Sequence, residues 1–230
     1  MVLVISLGMA IAPAIFLVYY YNKQDKRKPE PTGLIVKLFI IGLLITIPVA
    51  FLEALISSFK SYLGSSYIVH AFFRAFFVAA LSEELFKFII VKKFAYNHIQ
   101  FDEIMDGIIY TVIASLGFAC LENILYVLNG TLSIALVRAF TAIPLHALAS
   151  GVMGFYIGLA KFHNHENYYF LKGLFIAIMI HGIYDFLLFL SPLYGAVIGM
   201  GIFPLLIVSF LALQTKIKSA IQMDTDAGRI

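Results

Sequence analysis

Glu83, Glu84 and Lys87 fall within five residues of one another in LSEELFKFII, inside a long apolar run. One charged group at the centre of a bilayer costs at least about 2.5–3.5 kcal/mol, so three on one helix need a reason. Glu83 and Lys87 are four apart and share a helix face, where they can pair; Glu84 points about 100° away. Adjacent carboxylates in a low-dielectric medium repel, which keeps one proton available between them. A carboxylate in that state suits a general base. Three more polar interruptions follow: Glu122-Asn123 in GFACLENILY, His146 in IPLHALASG behind Pro144, and His181 with Asp185 in HGIYD. The last pair is again four apart, so Asp185 can hold the imidazole in one orientation.

Taken singly, each has an ordinary explanation. A lone buried histidine more often bridges helices than catalyses, and one Glu–Lys pair can serve packing alone. Ionisable residues on four separate apolar segments are harder to assign to packing, and intramembrane ionisable groups point to function. The chemistry they suit is hydrolysis by an activated water. Glu83 or Glu84 is the base, Lys87 tunes its charge, and His181 polarises a carbonyl; Glu122, Asn123 and His146 complete the cavity. Two His and several carboxylates could also hold zinc through His146, His181 and Glu83, Glu84 or Glu122, with water in an open position. No HExxH sharpens that reading, and the metal-free version needs no cofactor. Cys120 lacks a base partner of the kind a covalent route requires. Two further classes remain: an ion- or proton-coupled transporter using the same acids as a relay, and a non-catalytic membrane scaffold.

The elements that must position these groups are spanning helices. Of 230 residues, 62% are hydrophobic and 13% charged, against about 45–50% and about 25% in a soluble domain. The chain is therefore a multi-pass membrane protein, all-α, in contact with lipid and with no basic, aromatic-laced segment for nucleic acid. Runs of about 20 apolar residues predict spans near 2–21, 34–56, 67–91, 107–128, 132–160, 171–190 and 193–214, in one domain over 1–230. The last two are expected to turn at Ser191-Pro192, and residues 215–230 to form a short cytoplasmic tail. Lys23, Lys26, Arg27, Lys28 and Lys37, then Lys92 and Lys93, Lys161 and Lys172, and Lys216 and Lys218 mark alternate loops. The positive-inside rule then puts the N-terminus outside and the C-terminus inside. Gly151, Gly154, Gly158, Gly195, Gly199 and Gly201 read as close helix contacts. Counting a rise of about 1.5 Å per residue, Glu83, Glu84 and His181 lie about 12–14 Å deep, with Asp185 near about 20 Å and Glu122 and His146 at about 22–24 Å. His70, Arg74, His163, His165, Asp102, Glu103 and Asp106 take plain roles at the interface, in solvent or at a helix N-terminus.

The ordered strings EELFK, DGIIYTVIASLGFACLENILY, the His146 helix and HGIYD, with DKRKPEP after the first span, resemble the PrsW family of intramembrane proteases over most of residues 20–190. The resemblance implies an enzyme of the cell membrane that cuts a single-pass membrane-anchored anti-sigma factor on its extracytoplasmic side, releasing a stress sigma factor. It also implies kinship with the CAAX-processing and abortive-infection membrane proteases. Those use a Glu pair and His residues to activate water, matching Glu83 and Glu84, Glu122, His146, and His181 with Asp185. Where those relatives have FxxxH, this chain has Phe118-x-x-x-Glu122, which leaves the partner of the base open between His181 and His146. Analogy favours Glu83 as that base.

Overall fold

A computed structural model describes residues 2–25 and 28–230. Its described residues form helices α1 (Val2–Asn22), α2 (Thr32–Leu44), α3 (Thr46–Ser57), α4 (Tyr67–Phe73), α5 (Leu81–Phe94), α6 (Ile104–Leu128), α7 (Leu132–Phe140), α8 (Ala142–Phe162), α9 (Glu166–Tyr194), α10 (Ala196–Met200) and α11 (Ile202–Asp226). Among the described residues, six rods are long and apolar enough to cross a membrane: Val4–Asn22, Thr32–Tyr62, Ile104–Leu128, Leu132–Phe162, Glu166–Tyr194 and Ala196–Asp226. A further rod joins α4 to α5 through a π-helical segment, Arg74–Ala80, and carries Arg74, Glu83, Glu84 and Lys87 in its length.

Proline sets where rods break. A proline ring clashes with the carbonyl four residues back and offers no N–H. Pro48, Pro144 and Pro204 each follow by three residues the breaks at Ile45, Thr141 and Gly201. The turn expected at Ser191-Pro192 is absent. The Ser191 hydroxyl donates to the Leu188 carbonyl at 2.8 Å, the group that Pro192 leaves unserved. α9 instead runs to Tyr194 and stops at Gly195, whose φ of 86° suits a residue without Cβ.

α6 is the axis of the bundle, almost wholly enclosed. Glycines let its neighbours close on it. A Cβ at Gly107, Gly154 or Gly158 would run into backbone of the facing helix between α6 and α8, and one at Gly42 or Gly117 would do the same between α2 and α6. The expectation for Gly154 and Gly158 holds, and Gly151 meets Leu213 and Val112 side chains. Gly195 and Gly199 face no such crowding, and Gly195 serves the turn through its positive φ. The expected tail over 215–230 does not hang free, because α11 continues to Asp226 with Ile217, Ala220 and Asp224 buried. Asp224 accepts from the Ile104 and Met105 amides at 3.0–3.2 Å. Lys161 donates to the Tyr96 carbonyl at 2.6 Å and Lys28 pairs with Asp102 at 2.6 Å, so these basic loops gather at one end. Lys26 and Arg27 lie outside the described residues.

Candidate active site

Lys87 organises the interior. Its ammonium, wholly buried, donates to Glu84 Oε1 at 2.8 Å, Glu83 Oε2 at 3.1 Å and His146 Nδ1 at 3.0 Å, above the Phe118 ring at 4.5 Å. Spacings of three and four residues bring both carboxylates to the same ammonium, although Glu83 and Glu84 diverge around α5. An ammonium has no lone pair, so His146 Nδ1 must accept. Its Nε2–H then donates to Glu122 Oε2 at 3.0 Å. The tautomer follows from that bonding pattern.

Glu83 and Glu84 are not equivalent. Glu84 is fully enclosed: Lys87 and His181 Nδ1 (2.9 Å) engage Oε1, and the Ser150 hydroxyl donates to Oε2 at 2.9 Å. Glu83 instead lines a cavity of about 310 Å³, with Glu53, Arg74, Glu122, Arg138, His146, His181, Tyr184 and Asp185 among its walls. The cavity runs along α9 from His181 to Phe189 and back along the α4–α5 rod to Arg74, away from the lysine-bearing loops. His181 is held at Nδ1 by Glu84, while its Nε2 lies 3.5 Å from Asp185 Oδ2 and 3.9 Å from Glu83 Oε2. Asp185 therefore flanks the imidazole, and Glu84 makes the shorter contact.

The outer wall is a second ionic chain. Glu122 accepts from Arg138 at 2.7 Å, and Arg138 Nε donates to Asn123 Oδ1 at 2.6 Å with its guanidinium 3.8 Å from the Tyr126 ring centroid. The depth order expected from sequence is not observed. His146 Nδ1 is 3.7 Å from Glu83 Oε2, and the His146 and His181 rings are 5.0 Å apart. The break at Thr141 and the long Lys87 side chain bring to one level groups that a uniform helical rise separates by about 10 Å. Glu53, Arg138, Ser150 and Ser115 join the site without being among the residues that the sequence points to. Ser115 donates to the His146 carbonyl at 3.0 Å, and its hydroxyl oxygen lies 2.9 Å from that of Ser150. Arg138 carried a sequence signal, a cation sixteen residues beyond Glu122 within an apolar run; the serines carried none. His163 and His165 are exposed, in keeping with a solvent role.

Glu83, Glu84, His146 and His181 each offer a ligand atom, all within 4.8 Å of one another and all buried. Two imidazoles with carboxylates are the donors of catalytic zinc sites, so the set fits such an ion in chemical type. Lys87 already presents a positive charge to three of these four residues. Glu122 stands outside that group, bonded to the far nitrogen of His146.

A family model described as "PrsW family intramembrane metalloprotease" matches residues 30–213. A protease PrsW of Geobacillus kaustophilus (strain HTA426) is 36% identical over 195 residues, 84% of either chain. That of Oceanobacillus iheyensis (strain DSM 14371 / CIP 107618 / JCM 11309 / KCTC 3954 / HTE831) is 39% identical over 183 residues, 79% of this chain and 82% of the relative. The protease PrsW of Bacillus subtilis (strain 168) is 35% identical over 187 residues, 80% and 82%. No solved structure matches. With buried acids and histidines at the heart of a multi-pass helical bundle, the chain belongs to the PrsW family of intramembrane proteases.

Proposed function

We propose that this membrane protease cuts a single-pass, membrane-anchored anti-sigma factor on its extracytoplasmic side, the first cut in release of a stress sigma factor. The observation that carries the site assignment is the unequal setting of the two acids: Glu83 faces the cavity and Glu84 is locked behind it. Glu83 takes a proton from water in the cavity as the water attacks the peptide carbonyl. His181, fixed by Glu84, presents Nε2 beside Glu83, where in its doubly protonated form it stabilises the oxyanion and then protonates the leaving amine. Lys87 keeps both acids compensated in a dry setting. His146, Glu122 and Asn123 hold the wall through Lys87 and Arg138.

The chain acts as one membrane unit with its N-terminus outside and its C-terminus inside. The gathering of basic loops at the end remote from the cavity supports that orientation and an extracytoplasmic cut. The family description favours a metal version, in which Glu83, Glu84, His146 and His181 would hold the ion and the ion would supply Lewis acidity and an activated water.

The experiment is co-expression with tagged single-pass anti-sigma factors of the same genome. Wild type releases a shortened fragment, whereas Glu83→Gln, Glu84→Gln and His181→Ala chains of normal abundance do not; cleavage by all three variants at the wild-type rate overturns the assignment. Loss of cleavage in a strong chelator, restored by zinc, selects the metal version, and undiminished cleavage selects the water-and-glutamate version.

A further inference from the structure

At the end of the bundle opposite the cavity, two acidic segments meet. Asp25 and Glu30 come from the loop after α1; Glu103 and Asp106 come from the start of α6. All four are at least nine-tenths buried. Part of this arrangement is ordinary capping. The Glu103 side chain accepts from the Asp106 amide, and Asp106 Oδ2 accepts from the Asp102 and Glu103 amides at 2.7–2.8 Å. Capping leaves oxygens over. Among the described residues, Glu103 Oε1 and Asp106 Oδ1 are buried with no hydrogen-bond donor. Such orphans are rare in native interiors and mark a missing partner.

Among the described residues, the nearest cations make their short contacts with other carboxylates. Lys28 pairs with Asp102 at 2.6 Å and stands 3.9 Å from Glu103, while Arg229 pairs with Asp224 at 2.6 Å. Glu30 lies beside Asp106 and accepts from the Tyr110 hydroxyl, and has no ion pair among the described residues. Burial, then the neighbouring carboxyls, push Glu30 up to about 10 and Glu103 up to about 8.

We propose that Asp25, Glu30, Glu103 and Asp106 form a site for one hard divalent cation, Mg2+ or Ca2+, that ties the loop after α1 to the start of α6. Carboxylate oxygen is the donor hard cations take. Ligand atoms of Asp25, Glu103 and Asp106 lie within 4.8 Å of one another, and ligands on opposite sides of Ca2+ stand about 5 Å apart. The site has no histidine or cysteine and shares no residue with the intramembrane cluster, so its fate is independent of the protease assignment.

The test uses the full chain in detergent in a His181→Ala background, which weakens any metal binding at the intramembrane cluster. Mn2+ titration followed by electron paramagnetic resonance is expected to show one saturable ion per chain, displaced by Mg2+ or Ca2+. Glu103→Gln and, separately, Glu30→Gln should weaken Mn2+ at least tenfold. Millimolar Mg2+ or Ca2+ should raise the melting temperature of the parent by several degrees and leave a folded Glu30→Gln chain unmoved. Absence of saturable binding in the folded parent overturns the proposal and leaves the acids to protons. Binding that survives in both variants overturns it as well.

Discussion

An ammonium that donates to Glu83, Glu84 and His146 at once cannot be removed without leaving charge behind. In Lys87→Met the two carboxylates face each other across an apolar side chain, and His146 Nδ1 loses its donor. Breaking a buried pair in this way costs about 3–5 kcal/mol. The expected outcome is a chain of reduced abundance that unfolds at lower denaturant in SDS titration, with stability partly regained when Glu84→Gln is combined with it. A combined variant no more stable than Lys87→Met would show that the ammonium does not compensate Glu84. At this scale the sequence was informative wherever a polar type broke an apolar run. Glu83, Glu84, His146 and His181 could be named for that reason, and the structure gathers their ligand atoms within 4.8 Å. Ser150 was silent because a serine in a membrane helix is common at contacts, and only the fold shows its hydroxyl on Glu84 Oε2. Glu53 stands in a half-buried stretch and gains its meaning from a cavity formed by other helices.

Helices and their breaks carry the next level. Apolar runs of about 20 residues give the rods directly, because a spanning helix must satisfy its backbone internally. The breaks at Ile45 and Thr141 follow from Pro48 and Pro144. The continuation of α9 through Pro192 does not follow from proline alone, since it depends on the Ser191 hydroxyl reaching back to Leu188. The π-helical segment Arg74–Ala80 left no periodic trace because every residue after Arg74 in it is apolar; it leads straight into α5 and sets the face on which Glu83 emerges. Glycine is the other device of this scale. Gly154 on α8 meets Gly107 and Ile108 backbone on α6, and side-chain bulk there has nowhere to go. Gly154→Val should cost about 1–3 kcal/mol or more through overpacking, read as a lowered melting temperature of purified protein. Substitution at Gly8, which faces open space, should leave that temperature unchanged.

For the whole molecule, the rods enclose α6, and the cavity and the basic loops occupy opposite ends. That polarity predicts a topology. A reporter active only outside the cytoplasm should work when fused at the N-terminus and fail when fused after Ile230, with the reverse for a cytoplasmic reporter. The opposite result would place the mouth of the cavity in the cytoplasm and exclude an extracytoplasmic cut. The multi-pass architecture was legible from composition, since a chain 62% hydrophobic has no other way to shelter its apolar surface. Docking of α11 onto α6 through Asp224 was not legible, because a polar C-terminal stretch reads as solvated until its partner is seen. The local pairing of Lys87 also bears on how the molecule is made. Both its carboxylate partners sit on its own helix, three and four residues away, so they come together as soon as that helix winds. The segment can thus be released into lipid as a matched unit, nearly neutral once one proton is shared, before His146 or His181 has arrived. A site assembled from charges on separate helices would have to enter the membrane with each charge exposed.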